Sequence, residues 1–464
     1  MARSGIQPSL RTLLLIGCEA VMILAAVILA VLLRLGRDEL GLMLREQGLL
    51  KALLITASCQ FCLYYADLYD LRVVADRREL FVRTLQALGA TSLILAVLYY
   101  WFPSLILGRG VFLIASVLVI LITIGWRMAF EWASTRARPR ERLLFVGATA
   151  AATQLARELY ERRAELGVVI VGIVDADRTG TGEPAGSPGI VGTIEDIPSL
   201  VKSLDVDRVV VSLSDARGKL PMDRLLDMRM AGVAFAHFPT VYEEYTGKIA
   251  VDNLRPSWLI FSEGFDKTRT LRSVKRAFDV AGAAALLALA MPVMLLAALA
   301  IKLDSKGPAL YTQQRVGLGS CLFTIYKFRS MRTDAEAGTG AVWATPGRDR
   351  RVTRIGHILR RTRLDELPQL WNVLRGDMSL VGPRPERPEF VQELTKHIPF
   401  YGQRHAVRPG LTGWAQVRYA YGASVEDSLE KLQYDLFYIK NMSLTLDLYI
   451  IFETLKTIVT RSGS

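Results

Sequence analysis

The sequence predicts a membrane protein that combines α-helical parts with an α/β part, and three observations support this fold class. Apolar residues make up 51% of the 464 residues and the mean hydropathy is +0.27, which is high for a soluble protein. Long apolar stretches fill the first quarter of the chain, and another lies at 280–301. Between them, short apolar runs alternate with helical patterns, as in a parallel sheet covered by helices. We therefore expect a four-helix transmembrane bundle at 1–135, a Rossmann-like domain at 140–239, a connector at 240–272 and a mostly α domain with amphipathic interfacial helices at 273–464.

The predicted bundle rests on apolar stretches at 12–33, 50–65, 85–107 and 111–126. A helix needs about 20 apolar residues to cross a bilayer, so the first and third are long enough and the other two depend on flanking residues. Arginines concentrate before the first stretch, between the second and third, and after the fourth. Positively charged loops stay in the cytoplasm, so both ends of the bundle are expected there. Glu19, inside the first stretch, is expected to face the bundle or a partner helix.

The segment 140–239 predicts a Rossmann-like, CoA-binding-like cytoplasmic domain, because strand and helix patterns alternate along it. The strands are expected at 142–146, 168–174 and 208–212, and a helix at 151–165. The loop GATAAAT, from Gly147 to Thr153, keeps only the first glycine of the dinucleotide-binding fingerprint. The backbone is therefore not expected to approach a pyrophosphate closely. A structural or regulatory role and nucleotide binding through Asp175 both stay open.

The connector 240–272 has short strand-like runs broken by Gly and Pro. The apolar run at 280–301 is long enough to span a bilayer, but Pro292 near its middle should kink a helix there. Basic residues flank the run on both sides, which favours both ends on one face of the membrane. We therefore expect a re-entrant helix–break–helix with Pro292 at the break, and a full crossing is the alternative.

The strongest candidate site lies within 360–386, where Asp365 and Glu366 adjoin and arginines precede them. Two buried carboxylates are costly unless positive groups lie against them. Pro368 and Gly376 should bound a short helix that starts beside this pair. Basic side chains also bind phosphate, so the arrangement predicts a site for a divalent metal and a phosphorylated substrate. The candidate phosphate-binding residues are Lys327, Arg329, Arg360, Arg361, Arg384, Arg404 and Arg408.

The charge balance and the scarcity of soft ligands narrow the partners. Lys and Arg outnumber Asp and Glu by 57 to 45, a net charge of +12. In a chain with long apolar runs, this surplus favours anionic lipid headgroups and phosphates over nucleic acid. The four cysteines and four histidines form no metal-binding pattern outside one CxxC in an apolar stretch. Mg²⁺ with oxygen ligands is therefore the expected metal.

The C-terminal region resembles the monotopic polyprenyl-phosphate phosphoglycosyl transferases, the bacterial sugar transferase family. The resemblance rests on the order and spacing of KFRSM at 327–331, LDELPQLWNVLRGDMSLVGPRP at 364–385 and RPGLTGWAQV at 408–417. The whole layout resembles the long WbaP/WcaJ-like members, and the connector is similar to that of the EpsB-like subgroup associated with exosortase gene clusters. The chain departs from the family at Met291-Pro292, where Ser-Pro is frequent, so the backbone groups freed at the break need other partners.

This resemblance implies transfer of a sugar-1-phosphate from a UDP-sugar to undecaprenyl phosphate, with release of UMP, as the initiating step of exopolysaccharide, capsule or O-antigen synthesis. It implies a ping-pong mechanism in which Asp365 attacks the phosphorus next to the sugar and Glu366 binds Mg²⁺. It also implies a homodimer in the bacterial inner membrane with the catalytic domain on the cytoplasmic face. The identity of the sugar depends on pocket shape and is not readable from the sequence.

Other interpretations of the same residues stay open. Asp365 is alternatively a helix cap, and the arginines alternatively form a solvated or headgroup-facing surface. A nucleotide-sugar oxidoreductase using the α/β domain is a second function, which the incomplete glycine loop argues against. A non-enzymatic scaffold of a polysaccharide assembly complex is a third.

Overall fold

The fold is a membrane α/β protein, and its computed structural model describes most of the chain. The described residues are 10–36, 48–66, 68–69, 77–106, 109–136, 141–175, 189–212, 222–251, 254, 256–332, 335, 351–419, 422 and 424–460. The chain folds as two compact units, one from Gln7 to Phe238 and one containing Pro239 to Ser464. The basic segments at 1–9, 70–76 and 137–140, on which much of the expected membrane orientation rests, lie outside the described residues.

Four long helices begin the first unit, and each contains a stretch long and apolar enough to cross a membrane. They are α1 (Leu10–Leu35), α2 (Gly48–Tyr65), α3 (Arg77–Trp101) and α4 (Arg109–Arg136). Apolar side chains from all of them share one buried cluster, to which Val27, Ala52, Leu95 and Val119 contribute one from each helix. Other apolar residues, such as Leu93, stay exposed. An apolar side chain left on the outside of a helix suits lipid better than water.

A buried ion pair crosses this cluster of helices. Glu19 of α1 and Arg127 of α4 are both fully buried, and the guanidinium donates to both carboxylate oxygens, at 2.6 and 2.9 Å. Arg127 also donates to the backbone carbonyl of Leu68 and lies over the ring of Tyr69, 5.2 Å from its centroid. The expectation that Glu19 faces other helices of the bundle is confirmed.

The rest of the first unit surrounds a five-stranded parallel sheet. The strands are β1 (Glu141–Val146), β2 (Val168–Asp175), β3 (Ile190–Thr193), β4 (Arg208–Val211) and β5 (Ala234–His237), and their order in the sheet is β3-β2-β1-β4-β5. The helices are α5 (Ala150–Glu161), α6 (Arg163–Leu166), α7 (Ile197–Ser203) and α8 (Met222–Met230). The three strands expected from the sequence are present, each within one residue of its expected ends. Their mostly apolar sequences and the consecutive buried residues in β1 and β4 fit strands that are covered on both faces.

The second unit is mostly helical and contains two small sheets. Its helices are α9 (Phe238–Thr246), α10 (Pro256–Phe261), α11 (Arg269–Asp304), α12 (Arg354–Arg361), α13 (Gln369–Arg375), α14 (Pro388–His397), α15 (Trp414–Arg418), α16 (Val425–Asn441) and α17 (Leu444–Thr460). β6 (Leu310–Val316) pairs antiparallel with β7 (Leu322–Phe328), and β8 (Ser379–Val381) pairs parallel with β9 (Gly410–Thr412). One core, centred on Trp414, Phe437 and Val381, joins these elements.

The connector is part of this core, which corrects the expectation of strand-like runs. Its described residues form α9 and α10, and Ile249 between them is buried among the core residues. The indole nitrogen of Trp414 donates to the carbonyl of Gly247 at 3.0 Å, and the amide of Ile249 donates to the carbonyl of Gln433 at 3.1 Å. The apolar positions in this segment therefore reflect burial against the core and not strand pairing.

Helix α11 is continuous through Pro292, whereas the sequence predicted two helical pieces at 280–301 with a break between them. Proline removes one backbone hydrogen bond, and the helix can continue on both sides of it. Near the start of α11, Arg276 donates to the carbonyls of Val373 and Leu374 at 2.6 and 2.8 Å. Near its end, Ile301 packs in a cluster with Leu359 of α12. Both ends of this apolar helix are thus attached to one compact unit.

Candidate active site

Asp365 and Glu366 lie in a tight turn between two short helices. α12 ends at Arg361, the backbone of Arg363 is left-handed, and a 3-10 turn covers Leu364–Glu366. Pro368 then precedes α13, which ends at Gly376 with φ of 97°, as the sequence predicted. No side-chain cap hydrogen bond occurs at the start of the 3-10 turn or of α13. The interpretation of Asp365 as a helix cap is therefore wrong. Because α13 has only seven residues, charged side chains and not a helix dipole dominate this site.

Glu366 is held in its ionised form by two cations. Arg384 donates to Glu366 Oε1 at 2.7 Å, and Lys327 Nζ lies 3.6 Å from the same oxygen. Burial alone raises the pKa of this carboxyl, but Arg384 and Lys327 outweigh burial and hold the pKa at about 2. Both ion pairs use Oε1. Glu366 is therefore held as a stable anion by both cations.

Asp365 differs from its neighbour because its Oδ1 atom is buried without any hydrogen-bond partner. Burial and the adjacent charge of Glu366 raise its pKa, and the positive charges of Lys327, Arg360 and Arg363 oppose that rise. A buried acceptor without a partner is costly. Such an atom in a cation-rich site is available to a ligand, a metal ion or an electrophile.

Lys327 reaches the carboxylates from β7, and α13 fixes the position of that strand. The buried Asn372 of α13 accepts from the amide of Tyr326 at 3.1 Å and donates to the carbonyl of Thr324 at 2.7 Å. Burial lowers the pKa of Lys327 to about 8, although the charge of Glu366 raises it. Because the ammonium group of Lys327 is desolvated, an anion that binds next to it would stabilise its charged form.

Arg384 lies in the Gly-Pro-Arg-Pro turn after β8, and a buried ion pair supports that turn. Arg404 donates to the backbone carbonyl of Arg384 at 3.0 Å and to the hydroxyl of Tyr401 at 2.6 Å. Its guanidinium also lies 2.8 Å from Asp435 Oδ2 on α16. Burial raises the pKa of Asp435 to about 6, although Arg404 lowers it. Arg404 therefore supports the residue that contacts Glu366 and does not itself contact the two carboxylates.

The remaining candidate arginines have separate positions. Arg329 is buried and donates to the carbonyls of Lys306 and Ser305 at 2.7 and 2.8 Å, just after α11. Arg408 donates to the carbonyl of Gly376 at 2.9 Å. Arg360 donates from Nε to Ser330 Oγ at 2.9 Å, and Arg361 is exposed. Substrate binding by Arg329 and Arg408 stays a prediction, and their observed contacts hold the ends of helices.

Two further cations lie near the carboxylates: Arg315, which the sequence did not indicate, and Arg363, one of the arginines that precede the pair in the sequence. Arg315 of β6 donates to the carbonyl of Pro385 at 3.1 Å and lies close enough to Lys327 to lower its pKa. Its approach depends on the antiparallel pairing of β6 with β7, which no local pattern predicts. Arg363 lies directly before the turn with Asp365 and Glu366, and its left-handed backbone has no sequence signal because glycine usually occupies such positions.

The two carboxylates fit a hard cation that is shared with a substrate. Among the described residues, no group of three or more His, Cys, Asp or Glu side chains is arranged to hold a metal ion. An ion here would therefore rely on Asp365, Glu366 and oxygens of a substrate. Mg²⁺ binds in this way, through one or two carboxylates and phosphate oxygens. The unpartnered Oδ1 atom of Asp365 agrees with such a ligand set.

Comparison with known proteins gives two domain matches and a series of relatives. Residues 270–461 match the family described as bacterial sugar transferase, and residues 65–221 match one described as CoA-binding domain. The chain is 34% identical over 391 residues to an undecaprenyl-phosphate glucose phosphotransferase of Komagataeibacter xylinus, which covers 77% of this chain and 70% of the relative.

Two other relatives are named for N-acetylgalactosamine and for glucose. The chain is 43% identical over 263 residues to a UDP-N-acetylgalactosamine-undecaprenyl-phosphate N-acetylgalactosaminephosphotransferase of Aeromonas hydrophila, covering 56% of this chain and 60% of the relative. It is 50% identical over 192 residues to a UDP-glucose:undecaprenyl-phosphate glucose-1-phosphate transferase of Caulobacter vibrioides, covering 41% of this chain and 71% of the relative. The chain thus spans 60% to 71% of these relatives' own lengths.

The apolar helices and the two carboxylates among cationic side chains, together with these relatives, indicate a membrane enzyme of phosphoryl-group transfer. The chain belongs to the bacterial sugar transferase family, the polyprenyl-phosphate phosphoglycosyl transferases. Membership in the EpsB-like subgroup stays a prediction.

Proposed function

We propose that this chain transfers a sugar-1-phosphate from a UDP-sugar to undecaprenyl phosphate and releases UMP. The observation that supports this most directly is the buried, unpartnered Oδ1 atom of Asp365 beside Glu366, whose charge Arg384 and Lys327 maintain. A carboxylate without hydrogen-bond donors is a stronger nucleophile than a solvated one. The names of the Komagataeibacter and Caulobacter relatives include the same lipid acceptor.

The proposed reaction has two displacement steps at one phosphorus atom. In the first, a carboxylate oxygen of Asp365 attacks the sugar-bearing phosphorus, the phosphoanhydride bond breaks, and UMP leaves with the bonding electrons. In the second, a phosphate oxygen of undecaprenyl phosphate attacks the same phosphorus, the acyl-phosphate bond breaks, and the Asp365 carboxylate is regenerated. Neither step needs an oxidant or a reductant.

Lys327 and Arg384 would bind the donor diphosphate, because both lie against Glu366 and present positive charge beside Asp365. Arg360 would place positive charge on the side of the turn that follows α12. Glu366 would hold Mg²⁺, which would supply positive charge toward the phosphates when it is bound. Arg404 would keep the turn of Arg384 in place.

We also propose that α1–α4 span the membrane and that α11 enters and leaves it on the cytoplasmic face. In support, both ends of α11 are attached to elements of one unit, at Arg276 and at Ile301. Basic residues flank the apolar run on both sides. Because α11 is continuous through Pro292, this arrangement would require a bend of the helix there.

The native Cys321 gives a direct test of this topology, because it lies beyond α11 and is exposed. In a variant that retains only Cys321, a membrane-impermeant maleimide should label permeabilised cells and not intact spheroplasts. Labelling of intact spheroplasts would exclude the re-entrant arrangement. A cysteine placed at Ile106, in the described residues between α3 and α4, is the control expected to react from outside.

The reaction is tested by UMP release from a panel of UDP-sugars, with purified enzyme, Mg²⁺ and undecaprenyl phosphate. Sugar-dependent UMP release and a labelled lipid product support the proposal, and absence of both with every sugar contradicts it. The relatives named for glucose and for N-acetylgalactosamine make these two donors the first to try. Substitution of manganese for magnesium after chelation would report on the metal.

The pathway and the assembly are further parts of this proposal. We propose that the product starts an exopolysaccharide, capsule or O-antigen chain, in keeping with a relative named exopolysaccharide production protein in Rhizobium leguminosarum. Complementation of a strain that lacks its initiating transferase would test the pathway. We further propose a homodimer, which mass measurement of the detergent-solubilised enzyme would test.

A further inference from the structure

Arg363 has an unusual backbone conformation for its residue type. Its φ and ψ angles are 57° and 14°, in the left-handed region that glycine adopts without strain. It follows the last turn of α12, where helices often end in a left-handed glycine. The chain therefore carries a long cationic side chain at a position where glycine would be easier to accommodate.

The hydrogen bonds on both sides of Arg363 fix its place relative to the two carboxylates. Its amide donates to the carbonyl of Arg360 at 3.2 Å, and the amide of Glu366 donates to the carbonyl of Arg363 at 3.2 Å. The left-handed residue thus reverses the chain between α12 and the turn that contains Asp365. Its side chain starts two residues before the proposed nucleophile.

The guanidinium of Arg363 is exposed, and none of the ion pairs among the described residues involves it. Lys327 and Arg384, in contrast, both lie against Glu366. Arg363 is thus a cation beside Asp365 that has no carboxylate partner of its own. An oxyanion bound at Asp365 would provide that partner, and guanidinium groups bind phosphate through paired N–H donors.

We infer that Arg363 is a further substrate-binding residue that contacts a phosphate oxygen at Asp365. The inference rests on the proposed function. Two phosphates reach this position, that of the nucleotide donor and that of the lipid acceptor, and both present the same oxyanion chemistry.

A set of four variants separates charge from backbone strain. Arg363→Gly removes the charge and suits the left-handed backbone, whereas Arg363→Ala removes the charge and keeps the strain. Arg363→Lys keeps the charge, and Arg354→Ala removes one charge from the opposite end of α12. Loss of one charge-assisted contact should slow the reaction about 10- to 100-fold in both uncharged variants. Arg363→Lys should retain most activity, and Arg354→Ala should match the wild type.

Thermal unfolding in detergent distinguishes a binding role from a structural one. Arg363→Gly should melt no lower than the wild type and higher than Arg363→Ala, because glycine relieves the backbone strain. A slow enzyme with undiminished stability supports the inference. If glycine restores activity relative to alanine, the backbone and not the charge is what matters, and the inference is wrong.

Two half-reactions identify which phosphate is bound. A burst of UMP from enzyme and UDP-sugar without lipid measures the donor step, and transfer from prelabelled enzyme to undecaprenyl phosphate measures the acceptor step. Slowing of either step, or of both, in Arg363→Gly supports the inference and assigns the phosphate. Wild-type rates in both steps overturn it. Absence of a UMP burst in the wild type would instead contradict the proposed function, so the two failures are distinguishable.

Discussion

Two carboxylates in this chain, those of Glu19 and Glu366, form different kinds of ion pair with arginine. Both oxygens of Glu19 accept hydrogen bonds from Arg127, and both side chains are fully buried. Arg127 also donates to the carbonyl of Leu68. Glu366 shares Oε1 between two cations, Arg384 and Lys327. It lies next to Asp365, whose Oδ1 atom is buried without a hydrogen-bond partner. The first arrangement is closed, because each group satisfies the other. The second has spare charge and an open acceptor.

This difference separates a structural ion pair from a site. A closed buried pair has already offset its desolvation and gains little from a ligand. A cluster with more cations than it needs and one unpartnered oxygen gains from an incoming phosphate or metal ion. Burial of a carboxylate by itself would not have distinguished Glu19 from Asp365.

The largest expected effect is that of a substitution at Asp365 on the rate of UMP release. Asp365→Asn should lower the rate of UMP release by on the order of 10⁴ or more, because removal of a nucleophile leaves only binding and positioning. Its thermal stability should stay near that of the wild type, since Oδ1 makes no hydrogen bond. Glu389→Gln, at an exposed position on α14, is the matched control for loss of one negative charge. Wild-type UMP release by Asp365→Asn would remove it from the mechanism.

Substitution of Arg127 in the closed pair should lower the stability of the protein and leave its rate of UMP release nearly unchanged. Arg127→Gln leaves Glu19 buried without its partner, and breaking a buried pair in this way costs about 3–5 kcal/mol. We expect poor recovery of folded protein and a lower melting temperature, with near-normal UMP release per folded molecule. An Arg127→Gln enzyme that is stable but inactive would show that this pair is itself a functional site.

The pH dependence of UMP release should show how far the ion pair between Arg404 and Asp435 supports the turn of Arg384. As pH falls through about 6, Asp435 gains a proton and its ion pair with Arg404 weakens. The UMP release rate should therefore fall severalfold below this pH, and Asp435→Asn should lack that acidic limb. Glu386 and Lys431 also influence this carboxyl, so both stay unchanged in the comparison.

The stability trend from Asp435 has the opposite sign, which separates this effect from acid unfolding. Because its folded pKa lies above the ordinary value of 3.8, the folded protein binds the proton more tightly than the unfolded chain. Its contribution to stability therefore increases as pH falls from about 6 toward 4. An acidic limb that coincides with unfolding, or that persists in Asp435→Asn, would contradict the assignment.

The smallest effect is expected when both members of the closed pair become apolar. Replacing a buried pair by apolar residues of similar size is often neutral or stabilising. Glu19→Met with Arg127→Met should therefore recover most of the stability lost in Arg127→Gln. Failure to recover would indicate that the ion pair specifies how these helices associate, beyond filling space.

The family and several elements could be predicted from the sequence because motifs and periodicity are local. Three of the five strands of the parallel sheet and the helix between Pro368 and Gly376 were predicted close to their observed ends. The convergence of Lys327, Arg384 and Glu366 is a contact between residues distant in sequence, and only the motif order hinted at it.

Other features depend on tertiary contacts that no local pattern encodes. Lys327 and Arg329 are two residues apart and received the same prediction, yet β7 ends between them, so one faces Glu366 and the other the carbonyls after α11. Arg404 was predicted to bind substrate, and its burial against Asp435 became visible only when α16 was in place. The connector was expected because Gly and Pro break its strand-like runs, yet several of its apolar residues pack against the core.

Helix α11 is attached at its start to α13 through Arg276 and at its end to α12, where the amide of Ile355 donates to Asp304 at 3.3 Å. The turn with Asp365 connects α12 to α13. A movement of either end of α11 would therefore reach this turn through α12 or α13. A bilayer that is thicker or thinner changes the tilt of embedded helices. If α11 lies in the bilayer as proposed, we expect lipid thickness to change the spacing of α12 and α13 and, with it, the rate of UMP release.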